Sequence, residues 1–399
     1  MAKQIKDPVH GYIEVPDELI PLLDSPVLQR LHYIKQLGFA YLVYPGANHT
    51  RFEHSLGAMA LADKVCKTVD LADDERLMVC SAALLHDIGH GPYSHASERL
   101  RAEYGEFSHD DILPFADIIQ PHLEEIGCDI REVAGIVSGT HRLASIIHGD
   151  LDVDRMDYLL RDAHYSGVPY GTLYANRLIQ SLFMDDEHGL ILKDSGIAAA
   201  ESLLIARTLM GPSVYYHHVS RIAEEMFLSA GRLHFTKDTI DAFMRMDDAE
   251  GTMTLLSSPS SAARDLMMRI RSRRLFKRAL YVGRDQVDMP RLTRLDASSY
   301  RRLHAEIAET AGVEPHAVIL DIPPLRKDMQ MQVKVKTMHD YVPFEDLVPL
   351  LPLMNKTRQE QWRLGVYSAA EDVEAVRAAA SAVLGVSRPT KQERLIGDF

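Results

Sequence analysis

The spacing of apolar residues predicts a mainly helical chain. Apolar residues recur every three or four positions in residues 56–65 and again in residues 78–85, which is the period of an amphipathic helix. Glycine and proline breaks such as Gly91-Pro92 separate such segments. We therefore expect residues 16–245 to be mostly helix.

The pattern changes after residue 279. Three later segments are strand-like through β-branching or alternation, and two others keep a helical period. The strand-like segments are residues 317–322, 331–336 and 364–367, and the helical ones are residues 299–311 and 370–384. The sequence thus predicts an all-α domain at residues 1–280 and a small α+β subdomain at residues 281–399, which we expect at an oligomer interface.

The composition is that of a globular protein, with 46% hydrophobic and 25% charged residues among 399. No uncharged apolar run is long enough to span a membrane, and the first residues lack the apolar core of a signal peptide. We predict a cytoplasmic protein without a membrane partner. Its three cysteines are widely spaced, which indicates reduced packing residues rather than a zinc site.

The net charge of −13 argues against a protein that coats nucleic acid, because such proteins are usually basic. The charge is uneven, since residues 264–302 hold twelve Arg or Lys against four Asp or Glu. We interpret this stretch mainly as a solvated helix surface. An oligomer interface that binds a nucleotide would use the same charges.

The dipeptide His86-Asp87 is the first indication of chemistry, because it ends an apolar, helix-forming run. A carboxylate beside imidazoles is costly to bury, and a bound divalent cation removes that cost. The alternative is a helix C-terminus whose histidines complement the macrodipole. His86 and His90 are also spaced like a helical zinc pair, but Gly89 and Gly91 disfavour a continuous helix there.

Further ligands of the same types lie upstream and downstream. The full candidate set is His54, His86, Asp87 and Asp154. Two imidazoles and two carboxylates leave room on a six-coordinate ion for water and a substrate oxygen. This set could hold manganese, iron, magnesium, nickel or zinc.

One helix face around the last ligand carries more polar side chains. Asp154, Tyr158 and Asp162 follow one another at four-residue intervals and share that face. Arg155 and Arg161 flank it, and they stand where a calcium loop would need Gly and Glu. The segment therefore suits a charged, hydroxyl-bearing ligand and not a calcium loop.

The order of His54, His86-Asp87 and Asp154 resembles the H…HD…D pattern of the HD phosphohydrolase superfamily. Flanking segments resemble its deoxynucleotide triphosphohydrolase branch, and they are residues 6–13, 29–38 and 44–57. The resemblance implies an HD-domain helical bundle that hydrolyses a dNTP to a deoxynucleoside and inorganic triphosphate. Some members carry an added SAM domain, which we do not expect in this chain.

The same resemblance implies a role for each matching residue. The four metal ligands are those given above. Arg51, Arg155 and Arg207 would bind phosphates, and Arg155 replaces the usual lysine. The sugar contacts implied are Gln36 and Asp162 at the 3′-hydroxyl, Tyr158 against the ring, and Tyr215 crowding the 2′ position so that ribonucleotides are disfavoured.

A histidine would protonate the 5′-oxygen as it leaves, and the resemblance implies His109, with His90 as the second choice. His95 completes this group, and Glu98 stands where the family has an aspartate that tunes the acid. In the implied mechanism, a water near the metal attacks the α-phosphorus. The arginines meanwhile stabilise the charge of the triphosphate.

Members of this family are often oligomers that a guanine nucleotide activates. Lys3, Asp24 and Gln29 match activator-site positions, whereas His32 and His218 stand where cationic residues are expected. Neutral imidazole binds phosphate less well than guanidinium or ammonium. We predict a homo-oligomer and a nucleotide activator site weakened by these two changes.

Two other functions stay open. One is an HD-type phosphohydrolase acting on nucleoside monophosphates, cyclic nucleotides or an alarmone, which would not need Arg207 as a distant triphosphate clamp. The other is a low-turnover nucleotide- or nucleic-acid-binding regulator that uses residues 264–302. The intact set of metal ligands argues against the regulator.

Overall fold

The structure is a computed structural model that describes residues 3–106, 108–185, 187–325, 328–329, 331 and 333–386. Helices dominate it. In chain order the α-helices are α1 (Ile20–Leu23), α2 (Pro26–Arg30), α3 (Arg51–Thr68), α4 (Asp73–Leu85), α5 (His95–Ala102), α6 (Ala116–Glu125), α7 (Ile130–Val137), α8 (Val153–Ser166), α9 (Ala175–Gln180), α10 (Ile197–Met210), α11 (His218–Arg232), α12 (Ile240–Met244), α13 (Asp248–Leu256), α14 (Ser261–Arg271), α15 (Met289–Leu292), α16 (Ala297–Ala311), α17 (Phe344–Leu347), α18 (Leu350–Glu360) and α19 (Val373–Leu384).

The strands are short and form small sheets. They are β1 (Lys3–Asp7), β2 (Gly11–Val15), β3 (Leu182–Asp185), β4 (Gly189–Lys193), β5 (Lys277–Gly283), β6 (Val318–Asp321), β7 (Lys334–Lys336), β8 (Tyr341–Pro343) and β9 (Arg363–Ser368). Among the described residues the sheet orders are β1-β2, β3-β4-β7-β8 and β5-β9-β6. β4 and β7 pair in parallel, and the other neighbours are antiparallel.

The chain divides into two compact units that interleave along the sequence. The first contains Met1–His217, Phe235–Met253 and Gln330–Leu351, and the second contains the remaining segments. The boundary near residue 280 stays a prediction.

The candidate metal ligands come from three helices of the first unit: His54 lies on α3, His86 and Asp87 directly follow α4, and Asp154 lies on α8. These ligands can meet because α3 packs against both α4 and α8. At the start of α3, the N–H of Thr50 donates to Oε2 of Glu53 at 2.6 Å, which satisfies a backbone group at the helix end. Acidic residues in the first turn of α4 complement its dipole. That helix ends at Leu85, so His86 sits at its C-terminus.

The second unit has its own core. The sheet β5-β9-β6 packs against α16 and α19. Leu303 and Ile307 of α16 and Val376 of α19 lie in this core with the strand residues Leu364 and Val366. This arrangement supplies the α+β part of the protein.

The mainly α fold with a small α+β part is confirmed. β6 lies within the strand-like residues 317–322, and α16 covers the helical stretch 299–311. After α10 ends at Met210, a π-helical turn at Gly211–Tyr215 separates it from α11. The cysteines are buried and free, as predicted.

The stretch predicted to be mostly helix, residues 16–245, also contains a hairpin of β3 and β4 that the sequence did not predict. Turn chemistry explains the difference. Oδ1 of Asp185 accepts the N–H groups of Glu187 and His188, each at 3.0 Å, and Gly189 adopts a φ of +71°. A polar turn of this kind reverses the chain where apolar spacing alone suggested a helix.

Among the described helices, none combines the length and apolar character needed to cross a membrane.

Candidate metal centre

Two imidazoles converge on one point at the junction of α3 and α4. The Nε2 atoms of His54 and His86 lie 3.2 Å apart. Nδ1 of His54 lies 2.8 Å from a carboxylate oxygen of Asp157, and Nδ1 of His86 lies 2.8 Å from the carbonyl oxygen of Ala83. Because both of these partners can only accept, each neutral ring carries its proton on Nδ1 and turns an Nε2 lone pair toward the other ring. A cation between the two Nε2 atoms fits this arrangement.

Two carboxylates complete the donor set. Oδ1 of Asp154 lies 3.0 Å from Nε2 of His54 and 3.7 Å from Nε2 of His86. Oδ1 of Asp87 lies 3.5 Å from Nε2 of His86. The donor atoms of His54, His86 and Asp87 all lie within 4.8 Å of one another, and these residues are buried. The four side chains therefore fit a divalent metal ion.

Charges within the centre keep its acids ionised. Burial raises the pKa of Asp87, but the nearby Arg51 and His86 outweigh it, so that this pKa lies well below its usual range. Burial lowers the pKa of His54, but hydrogen bonds to Asp154 and Asp157 raise it to about 10. A proton and a metal ion therefore compete for His54.

A second cluster surrounds Glu98 on α5. Oε2 of Glu98 lies 3.1 Å from Nδ1 of His95 and 3.3 Å from Nδ1 of His109, and Oε1 contacts Nδ1 of His90. The rings of His90 and His109 stack with centroids 4.2 Å apart. Gly89 permits this approach, because a Cβ there would lie 2.2 Å from the carbonyl oxygen of His109.

The histidines of this cluster differ in charge. Burial lowers the pKa of His109, but hydrogen bonding and charge from Glu98 outweigh it and raise the pKa above its ordinary value. Burial and the charge of Arg51 lower the pKa of His90 to about 4. At neutral pH, His109 is therefore the better proton donor of the two.

Arg51 points a guanidinium into the same region. Its Nη1 donates to Oδ2 of Asp87 at 2.7 Å, and its Nε donates to Oγ of Ser94 at 2.8 Å. Its Nη2 is buried and has no hydrogen-bond partner among the described residues. An anionic ligand would satisfy this donor.

Arg155 is already engaged. Its Nη1 donates to Oδ2 of the buried Asp152 at 2.6 Å. Burial raises the pKa of Asp152 to about 6, although Arg155 acts in the opposite direction. A phosphate bound by Arg155 would therefore share it with Asp152.

An open cleft of about 710 Å³, solvent at its mouth included, joins these groups. The predicted site residues that line it are Gln36, Arg51, His54, His86, Asp87, His90, His95, His109, Asp154, Arg155 and Tyr158. Oε1 of Gln36 is buried and lacks a hydrogen-bond partner within the described part of the chain. The lining does not include Glu98, Asp162, Arg207 or Tyr215.

The predicted sugar contacts form a neighbouring group. Oδ2 of Asp162 accepts a hydrogen bond from the hydroxyl of Tyr215 at 2.8 Å, and Oδ1 lies 2.8 Å from Nε2 of His49. The ring of Tyr215 meets that of Tyr158 edge to face, with centroids 6.2 Å apart. Burial raises the pKa of Tyr158, and the charge of Arg207 acts in the opposite direction, which places Arg207 nearby.

The predicted activator residues do not line the cleft. Nζ of Lys3 lies 3.2 Å from a carboxylate oxygen of Asp24, and both side chains are exposed. The amide of Gln29 donates to the carbonyl oxygen of Leu23 at 3.0 Å. The structure brings Lys3 and Asp24 together.

Several residues near the site were not singled out from the sequence. Asp157 contacts His54 directly, and Ser94 contacts Arg51. His148 lines the cleft. Asp157 follows Asp154 by one helical turn, which could have indicated it, but no local pattern points to Ser94 or His148.

Comparison with known protein families places the candidate ligands inside a known domain. Residues 51–162 match the family model described as the HD domain, and residues 174–395 match the one described as the HD associated region. The candidate ligands His54, His86, Asp87 and Asp154 all fall within the first match.

Similar proteins come from all three domains of life. An uncharacterized protein of Methanocaldococcus jannaschii is 32% identical over 94% of this chain and 81% of its own length. The deoxynucleoside triphosphate triphosphohydrolase of Homo sapiens is 29% identical over 80% of this chain, which spans only 60% of the human protein. The crystal structure of a phosphohydrolase from Bacteroides thetaiotaomicron superposes with a TM-score of 0.71 at 25% identity, covering 92% of this chain and 100% of the other.

Proposed function

Since the chain belongs to the HD-domain family of metal-dependent phosphohydrolases, we propose that it hydrolyses deoxynucleoside triphosphates to a deoxynucleoside and inorganic triphosphate. The observation that carries the proposal is the buried Nη2 of Arg51, which lacks a partner among the described residues and belongs to a side chain that lines the cleft beside the metal ligands. A guanidinium and a cation site side by side suit a polyphosphate.

His54, His86, Asp87 and Asp154 would hold the metal. A divalent cation bound there supplies Lewis acidity toward a phosphoryl oxygen and lowers the pKa of a water. Arg51 and Arg155 would bind the phosphates nearest the cation, and Arg207 would receive the outer ones. These fixed guanidinium groups stabilise the charge that develops during the transfer.

His109 holds the proton for the leaving group. The oxygen of one water joins the α-phosphorus and a proton of that water passes to solvent, while the bond to the 5′-oxygen breaks and His109 protonates that oxygen. Glu98 lies 3.3 Å from Nδ1 of His109 and raises its pKa, which favours the protonated form of the ring. His95 flanks Glu98 from the exposed side, and His90 packs against the His109 ring from the buried side.

Preference for deoxyribose rests on the sugar group. Gln36 and Asp162 form hydrogen bonds to the 3′-hydroxyl. The buried Oε1 of Gln36 supports this role, because it lacks a hydrogen-bond partner within the described residues. Tyr158 packs against the sugar. Tyr215, tied to Asp162, crowds the 2′ position.

A second candidate is hydrolysis of a nucleoside monophosphate, cyclic nucleotide or alarmone on the same metal centre. The position of Arg207 favours this second candidate, because the residue does not line the cleft. A substrate with one phosphate would not need it.

The remaining parts of the proposal concern the protein's context. We propose a cytoplasmic homo-oligomer that binds a nucleotide activator at Lys3, Asp24 and Gln29. The same assembly would use residues 281–399 at its interface.

Product analysis by chromatography tests the proposal. The protein is incubated with the four dNTPs and Mn²⁺ or Mg²⁺, with and without GTP. Deoxynucleoside plus intact triphosphate is the expected result, with no product from His86→Ala, and faster turnover with GTP would support the activator site. Stepwise release of inorganic phosphate, or no turnover with either metal, would overturn the triphosphohydrolase reaction.

A further inference from the structure

A buried carboxylate links the metal ligand His54 to the N-terminal hairpin. Asp157 on α8 is fully buried, and its Oδ2 lies 2.8 Å from Nδ1 of His54. Its Oδ1 lies 2.5 Å from Nε2 of His10, which stands in the turn between β1 and β2. One carboxylate thus touches a metal ligand on one side and the hairpin on the other, although His10 and Asp157 are 147 positions apart in the chain.

An arginine fixes this carboxylate from the same helix. Nε of Arg161 donates to Oδ2 of Asp157 at 2.9 Å, and Nη2 donates to Oδ1 at 3.0 Å. The third nitrogen, Nη1, donates to Oδ2 of Asp7 at the end of β1, at 2.7 Å. Burial raises the pKa of Asp157, but the charge of Arg161 outweighs it and keeps the carboxylate ionised.

The other oxygen of Asp7 holds the turn. Its Oδ1 accepts the N–H of Val9 at 2.8 Å and that of His10 at 2.7 Å. This Asx-type turn sets the backbone position from which His10 reaches Asp157. The hairpin and the helix are therefore joined by paired charges rather than by apolar contact alone.

Space for the ion pair comes from Gly57, one turn after His54 on α3. A Cβ at this position would lie 2.0 Å from Oδ1 of Asp157 and 2.3 Å from Nη2 of Arg161. Any larger residue would displace the carboxylate from beneath His54. Glycine is unfavourable in the middle of a helix, but at this position only glycine leaves room for the Asp157 carboxylate.

We propose that Asp7, His10, Asp157 and Arg161, the hairpin network, position His54 for the metal, so that the N-terminal hairpin sets part of the metal affinity. Asp157 keeps the proton of His54 on Nδ1 and fixes the ring plane, which leaves the Nε2 lone pair aimed at the cation site. These four are positioning residues, because they would act on the cation site only through His54, which Asp157 contacts directly. The inference rests on the metal centre of the proposed function but not on its substrate.

Metal titration of the metal-free protein tests the proposal without any substrate. Co²⁺ is added while its visible absorption is followed, and its dissociation constant is measured for the unchanged protein, Asp157→Asn and His10→Ala. We expect affinity to fall about ten- to a hundredfold in Asp157→Asn, and by a smaller factor in His10→Ala. His10→Gln, which keeps a donor, should recover part of the loss.

His164→Ala is the matched control, since His164 is an exposed histidine on the same helix as Asp157. It should bind Co²⁺ like the unchanged protein. Should Asp157→Asn fail to fold, as judged by circular dichroism, His10→Ala decides alone. Affinities within about twofold of the unchanged protein in every folded variant would overturn the positioning role. Tight Co²⁺ binding that weakens in Asp157→Asn and His10→Ala, with no dNTP turnover by the unchanged protein, would instead count against the proposed function alone.

Discussion

Oγ of Ser94 lies between Arg51 and the backbone of Lys35: it accepts from Nε of Arg51 at 2.8 Å and donates to the Lys35 carbonyl oxygen at 2.7 Å. Ser94 adopts a φ of +56°, and Tyr93 before it adopts a φ of +61°. Two consecutive non-glycine residues in this region store strain, which the surrounding structure must offset. The strained backbone holds this hydroxyl beside Arg51, the arginine that we propose binds phosphate.

Ser94→Ala should therefore lower kcat/KM for the triphosphate substrate. A hydrogen bond to a charged group contributes about 1.5–3 kcal/mol, which corresponds to a loss of about ten- to a hundredfold. Metal affinity should not change, because Ser94 does not contact the metal ligands. Steady-state kinetics would check the loss of kcat/KM, with Ser138→Ala as the control because Ser138 is exposed. An unchanged kcat/KM would show that Arg51 holds its position without Ser94.

The pairing of Glu98 with His109 predicts the alkaline limb of the pH profile. Burial lowers the pKa of His109, but Glu98 raises it above its ordinary value of 6.5. The acid is active only when protonated, so kcat should fall as the pH rises through this elevated pKa, at a higher pH than for an ordinary histidine. The stability that the pair contributes should be complete below pH 6.5 and be lost over the same alkaline range.

Glu98→Gln removes the charge that raises this pKa. The alkaline limb of the kcat profile should then move to lower pH, whereas the exposed Glu106→Gln should leave it in place. A limb that does not move in Glu98→Gln would exclude His109 as the group that titrates. His109→Ala should abolish the limb together with most of the turnover.

Local patterns predicted the candidate metal ligands but not the residues that support them. His86-Asp87 could be recognised because an apolar helix ends in two ligand types, and Asp154 and Tyr158 because they share a helix face. The contact between His10 and Asp157 spans 147 positions, and no periodicity encodes it. The hairpin of β3 and β4 was missed for a related reason, because its turn depends on side-chain hydrogen bonds rather than on apolar spacing.

Arg30 is half-buried, and its hydrogen bonds support the backbone near the site, so its loss should cost stability. It donates to the carbonyl oxygens of Ile88 at 2.7 Å, His90 at 2.9 Å and Met246 at 2.9 Å. Burial lowers its pKa to about 10, so it stays charged at neutral pH. Arg30→Met would leave three carbonyl groups without this donor, and the free energy of unfolding should fall by about 3 kcal/mol.

Urea denaturation would measure this change. Lys67→Met is a suitable control, because its ion pair with Asp63 is exposed and should contribute less than about 0.5 kcal/mol. If Arg30→Met were as stable as this control, the carbonyl groups of Ile88 and His90 would have found other donors.

Tyr215 offers a test that separates a steric role from a hydrogen-bonding role in sugar selection. Its hydroxyl donates to Asp162 at 2.8 Å, and burial together with the charge of Asp162 raises its pKa well above the ordinary value, so it stays a donor. Tyr215→Phe keeps the ring and loses only this bond, whereas Tyr215→Ala opens the space. If the ring excludes the 2′-hydroxyl, the ratio of kcat/KM for GTP to that for dGTP should rise in Tyr215→Ala and stay near its original value in Tyr215→Phe. An equal rise in both variants would assign the selection to the placement of Asp162, because only the hydrogen bond is lost in both. No rise in either variant would remove Tyr215 from sugar selection.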